Sequence, residues 1–228
     1  MHESSSLLHT AEVVHWAALI IMAVVYTLRL RWLFKFKPGA DKSAPGSPAT
    51  TDAKKGAYYS LLNVAMPWSM ESTRKGFVFY LTFVVFHVGV VAGISLAFLS
   101  TIAPKLVSHP AFAWICGSSL FLAFLVAIYR IFRRLFKPVM KLISTPDDYF
   151  SLFMLTVWFG LGTVTQAHLA GVEGFESVSY LVAYLFLTSF FLIYVPFSKI
   201  SHYLYYPFTR IWIGRALGHR GSYPIVRG

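Results

Sequence analysis

The chain has 228 residues, a formal net charge of +11, and only 13% charged against 57% hydrophobic residues. A soluble domain of this size carries about 25% charged residues, so the composition excludes an ordinary water-soluble enzyme. The apolar residues also fall in long runs that call for lipid. In a soluble chain the basic surplus would suggest nucleic acid; here it fits cations gathered on one side of a membrane, and no nucleic-acid partner is expected.

The lone cysteine, Cys116, lies inside an apolar run. It excludes a disulfide framework, a Cys-held iron–sulfur cluster and a CxxCH haem attachment. A redox centre would therefore draw on the eight histidines. The first ten residues hold Glu3 and no Lys or Arg, so no cleavable signal peptide is expected.

Five segments read as membrane-spanning helices: residues 12–34, 76–100, 111–134, 149–168 and 177–205. Each reaches the ~20 residues that cross the hydrocarbon at ~1.5 Å per residue. The whole chain, 1–228, reads as one all-α membrane domain. The first segment carries His15, with Glu12 one turn earlier on the same face. Residues 35–75 form a basic connection whose 38–51 part, rich in Pro, Gly, Ser and Ala, reads as a flexible loop. Residues 58–70 are apolar but short and meet Pro67, which suits a position along the membrane surface.

The second segment holds His87, followed by the small pair Gly89 and Gly93. Lys105 and His109 lie in the connection to the third segment, His168 ends the fourth, and the fifth contains Pro196 and His202. Pro196 predicts a kink or a lost hydrogen bond. Residues 206–228 form a tail. From Trp212 onward it is too short and Gly-rich to fold alone, and is expected to order against another subunit.

Lys and Arg set the orientation. Nine fall between Arg29 and Lys75, five between Arg130 and Lys141 and five from Lys199 onward, whereas Lys105 stands alone on the other side. Basic connections are retained in the cytoplasm. The N-terminus is thus expected outside and the C-terminus inside, in a prokaryotic cytoplasmic membrane crossed several times.

An ionisable side chain within a spanning helix is a functional candidate by default. His87 admits two readings: close helix packing with a hydrogen bond to a neighbour, or a haem ligand with the glycines making room for a flat macrocycle. His202, taken alone, is an interfacial histidine. Haem b takes two neutral axial imidazoles, and His87 with His202 would supply them from the inner half of the membrane. His15 and His168 form another pair near the opposite surface, readable as interfacial residues, as ligands of an outer haem, or as proton acceptors for quinol. Glu12, Lys105 and His109 join that candidate quinol site, since oxidising a quinol needs a base and an exit for protons.

With Arg74-Lys75-Gly76, Phe86-His87-Val88-Gly89, Arg133-Arg134-Leu135-Phe136 before Pro138, Thr145 with Asp147 and Asp148, and Pro196-Phe197-Ser198-Lys199 before His202 and Pro207, the chain resembles the gamma subunit of respiratory nitrate reductase. The resemblance runs from about Arg74 to Phe208. It extends to the related membrane cytochromes of heterodisulfide reductase-like and sulfite-reductase-associated complexes. It implies a five-helix cytochrome b that binds haem b without covalent attachment, exchanges electrons with quinone, and serves a cytoplasmic iron–sulfur subunit in a hetero-oligomeric complex. His87 matches the family's second-helix ligand of the inner haem, and His202 its fifth-helix partner.

The chain departs from that pattern at the outer haem. The position ten residues after His87 is Ala97, and the position eighteen before His202 is Tyr184. One haem is therefore expected, with a second only if His15 and His168 rebuild the outer site. Arg74, Lys75, Lys199 and Arg210 could meet haem propionates or serve simply as inner-side cations. The chain would be a subunit of an oxidoreductase rather than a complete enzyme. The competing readings are a transporter or channel component, with intramembrane His and Tyr lining a path, and a haem-free anchor for a soluble enzyme.

Overall fold

A computed structural model describes residues 2–47 and 50–223. They form an all-α fold, with no strand among the described residues. The helices are α1 (His2–Leu33), α2 (Ala53–Leu62), α3 (Glu71–Lys75), α4 (Phe77–Ile102), α5 (Pro104–Val107), α6 (Pro110–Phe136), α7 (Pro138–Ile143), α8 (Pro146–Leu169), α9 (Ser179–Tyr194) and α10 (His202–His219). Five described stretches are long and apolar enough to cross a membrane: Ser6–Leu33, Phe77–Ile102, Pro110–Phe136, Pro146–Leu169 and Ser179–Phe197. The chain is a multi-pass membrane protein, and large apolar side chains such as Trp114 and Ile115 are turned outward as lipid requires.

Two boundaries differ from the sequence reading. α1 starts at His2 rather than near residue 12, because residues 2–11 contain neither Pro nor Gly to stop it. The fifth segment is not one kinked helix. α9 ends at Tyr194 and is followed by two short 3-10 turns, Val195–Phe197 and Lys199–Ser201, before α10 begins. Pro196 offers no backbone N–H. The Ser198 side chain accepts from Ile200 N at 3.2 Å, starting a new turn rather than continuing the old one. His202 is thus the first residue of α10.

The chain divides into two compact units. The first comprises residues 2–23 and Leu81–Tyr194. Within it α8 packs against both α6 and α9, around the fully buried Leu96, Ala97, Leu120, Phe159, Tyr184 and Leu185. Local sequence fixes where its helices begin. α8 has Pro146 in its first turn and a capping box, in which Thr145 N and Oγ1 donate to Asp148 Oδ2 at 2.8 and 2.9 Å. α6 begins at Pro110 and is capped by His109.

The second unit comprises Val24–Tyr80 and residues 195–223. Here α10 lies on α2 through glycines. A Cβ on Gly214 would stand 2.6 Å from Ser60 Cβ and 2.7 Å from Ala57 Cα, and one on Gly218 would stand 3.0 Å from Ala53 Cα. The loop after α1 has no regular structure over residues 37–47 apart from a bend, but it is laced to α10. Trp212 Nε1 donates to Gly39 O at 2.9 Å, His219 Nε2 to Ser43 O at 3.1 Å, and Gly46 N to His219 O at 3.0 Å. Arg220 Nε reaches Asp41 Oδ2 at 2.8 Å. The tail, expected to be too short and Gly-rich to fold alone, is ordered on its own chain through residue 223, because small residues let α10 approach α2 closely. Residues 224–228 lie outside the described residues.

Candidate functional site

In the first unit His87 sits on α4, half-buried. Its Nδ1 lies 2.8 Å from Phe83 O, one turn earlier. A carbonyl can only accept, so Nδ1 carries the proton and, in the neutral ring, Nε2 carries the lone pair. This backbone anchoring fixes the tautomer and ring orientation in histidines that ligate metals. The rings of Phe83 and Phe86 lie 4.1 and 5.9 Å from the imidazole.

The glycines after His87 do not make room beside it. At about 100° per residue, Gly89 and Gly93 lie roughly 200° and 240° around α4 from His87. A Cβ on Gly89 would collide with Ala123 on α6, and one on Gly93 with the Trp158 ring on α8. They serve helix packing.

That packing occupies the place where the resemblance would put the outer haem. Tyr184 on α9 donates its hydroxyl to Gly93 O at 2.7 Å. Its ring stacks on Trp158 at 5.8 Å and 12°. Trp158 Nε1 donates to Thr188 Oγ1 at 2.8 Å, and Thr188 Oγ1 donates to Tyr184 O at 2.7 Å. Tyr184 and Ala97 are fully buried and Trp158 is 4% exposed. Two aromatic rings and a series of hydrogen bonds fill the space, and a macrocycle does not fit between α4 and α9 at this level.

His15 is fully buried, and neither ring nitrogen has a partner among the described residues. Its ring and that of Phe98 meet edge to face, with centroids 6.0 Å apart. The Glu12 carboxylate therefore makes no hydrogen bond to it, although the two share a helix face. His168 is held differently. It is half-buried, and its Nδ1 donates to Phe175 O at 2.8 Å, which again puts the lone pair of the neutral ring on Nε2. Among the described residues no hydrogen bond or ring contact joins His15 to His168. Lys105 is exposed in the last turn of α5, where a cation suits the helix dipole. His109 is the N-cap of α6, its Nδ1 accepting from Ala111 N at 3.3 Å, so that nitrogen already has a structural task.

Two side chains in this unit escaped the sequence reading. Arg130, counted there only as an inner-side cation, lies within the third span. Its guanidinium stands 4.4 Å over the Phe86 ring, and its buried Nε has no partner among the described residues. Gln166 on α8 donates Nε2 to Val107 O at 2.8 Å while its buried Oε1 has no partner among the described residues. The signal for both was available: an ionisable or amide side chain inside a spanning helix.

In the second unit His202 is exposed at the start of α10. Its Nδ1 lies 3.1 Å from Lys199 O, the same arrangement as in His87. The cations near the basic helix ends are committed locally. Arg74 Nη1 donates to Trp68 O at 3.0 Å, Lys75 pairs with Glu71 at 2.6 Å, and Arg210 Nε donates to Ser60 O at 3.0 Å. Among the described residues no three His, Cys, Asp or Glu side chains converge.

No family model matches the chain. It is 24% identical over 217 residues, 93% of its own length and 91% of the other's, to a chain of Nitratidesulfovibrio vulgaris (strain Hildenborough) named simply "Protein". The similarity runs through nearly all of both chains, and that name carries no functional information.

Proposed function

We propose that the chain is a haem b-carrying membrane subunit of an oxidoreductase complex, passing electrons between a membrane quinone and an iron–sulfur partner at the basic, cytoplasmic side. The observation that supports this best is shared by the two histidines that the resemblance assigns to the inner haem. His87 and His202 each direct Nδ1 to a backbone carbonyl of the preceding turn, at 2.8 and 3.1 Å. Each is therefore set up with Nε2 as its donor atom, the form that an axial imidazole takes. When bound, haem b would supply a one-electron centre. The chain's own part is to orient the imidazoles, exclude water and set the local charge, the last through the intramembrane Arg130 beside Phe86.

The packed Trp158–Tyr184 core argues for one haem per chain in this module. At the opposite end of the first unit, His15 is the group we assign to quinol. A buried imidazole with no protein partner costs stability, and a ligand hydroxyl would satisfy it. His168 stands as a second acceptor, with Glu12, Lys105 and His109 at the periphery.

The test is the absorbance of protein purified after haem-replete expression. A reduced-minus-oxidised spectrum with a sharp low-spin alpha band is expected. A colourless preparation would favour a transporter component or a haem-free anchor.

A further inference from the structure

The second unit contains a cavity of about 640 Å³ lined by the end of α1, the residues that follow it, and α10. Its volume falls within the ~300–1,000 Å³ of small-molecule sites. Part of the lining is apolar: Phe34 and Phe208 meet edge to face at 5.5 Å. Trp212 forms a wall and is fixed by its bond to Gly39 O at 2.9 Å.

The lining also carries cations. Lys37 and Arg215 line the cavity and have no hydrogen bond or ion pair among the described residues. Asp41, the acid in the lining, is already taken by Arg220 at 2.8 Å. His219 spends Nε2 on Ser43 O at 3.1 Å. Lys37 and Arg215 are thus left to whatever enters. The cavity also begins at Leu33, the last residue of a span, which places it where headgroups meet acyl chains. A free inorganic anion would use the cations but leave the aromatic side chains of the lining idle.

We propose that this cavity binds an anionic phospholipid, with the phosphate on Lys37 and Arg215 and the upper acyl chain on Phe34, Phe208 and Trp212. The site follows from the membrane character of α1 and does not depend on haem.

Brominated lipids quench nearby tryptophan, and the Trp212 contribution is read as the difference between the full chain and its Trp212→Phe variant in detergent. Brominated phosphatidylglycerol should quench that contribution at a lower mole fraction than brominated phosphatidylcholine. Lys37→Gln and Arg215→Gln should each weaken the preference roughly fivefold, as expected for one basic residue near an anionic surface, with elution and thermal transition unchanged. Native mass spectrometry should likewise find phosphatidylglycerol retained by the parent and lost from the double variant. Equal quenching by the two lipids, or a preference that survives the double substitution, would overturn the proposal. So would inorganic phosphate that binds these cations without competing with lipid for Trp212.

Discussion

The Tyr184 hydroxyl donates to the Gly93 carbonyl across the α9–α4 contact, at 2.7 Å and fully buried. This bond, with Trp158 stacked on the same ring, fills the space between α4 and α9 beside Ala97. Haem quantified against protein should therefore give one per chain, and a ratio near two would contradict the packing. Tyr184→Phe should lower stability by about 1 kcal/mol, the worth of one buried hydrogen bond, as measured by a thermal shift with the haem spectrum unchanged. Gly93→Leu should be far worse, because its side chain would have to enter the Trp158 ring.

His15 separates stability from function. Its imidazole is buried with both nitrogens unpartnered among the described residues, so an apolar replacement removes a desolvation cost. His15→Leu should leave the thermal midpoint equal or higher while slowing haem reduction by added quinol. Unchanged quinol kinetics would remove His15 from the site.

Arg130 places a cation over Phe86, the neighbour of His87. A positive charge near the iron favours the reduced form, so Arg130→Gln should lower the haem midpoint potential by on the order of tens of millivolts. Redox titration checks this, and an unchanged potential would leave Arg130 a purely structural cation.

The loop after α1 is tied to α10 by Asp41 and Arg220. Hydrogen bonds from Arg220 and Ser43 hold the Asp41 carboxyl below its ordinary range, and the same partnership raises Arg220. A carboxyl whose pKa is depressed on folding stabilises above its unfolded value, near ~3.9, and loses that contribution as pH falls through the folded value. Hydrogen exchange at the Ser43 and Gly46 amides, which donate to Asp41 Oδ1 and His219 O, should therefore stay slow at neutral pH and speed up only in strong acid. Asp41→Asn should give fast exchange already at pH 7; protection that persists in this variant would show that the backbone bonds to α10 suffice.

Long apolar runs made the five spans legible, since lipid leaves helices few alternatives. The break after α9 was less so: Pro196 announced an irregularity, but only the Ser198 cap turned a kink into two helices. The order of the tail was hidden because it depends on Gly56, Gly214 and Gly218 meeting across a long stretch of sequence, and single glycines say nothing of their partners. The same holds for Gly89 and Gly93, whose helix face is fixed by arithmetic but whose use, packing against α6 and α8, needs the neighbours. Ala97 and Tyr184 could be read as missing ligands; that Trp158 fills the space they leave could not.

The most direct measurement compares the reduced spectra of His87→Ala, His202→Ala and His219→Ala with that of the parent, all purified from haem-replete cells. The first two should lose the low-spin haem band while remaining folded, and the third should keep it. A full haem band in either His87→Ala or His202→Ala would contradict the haem assignment.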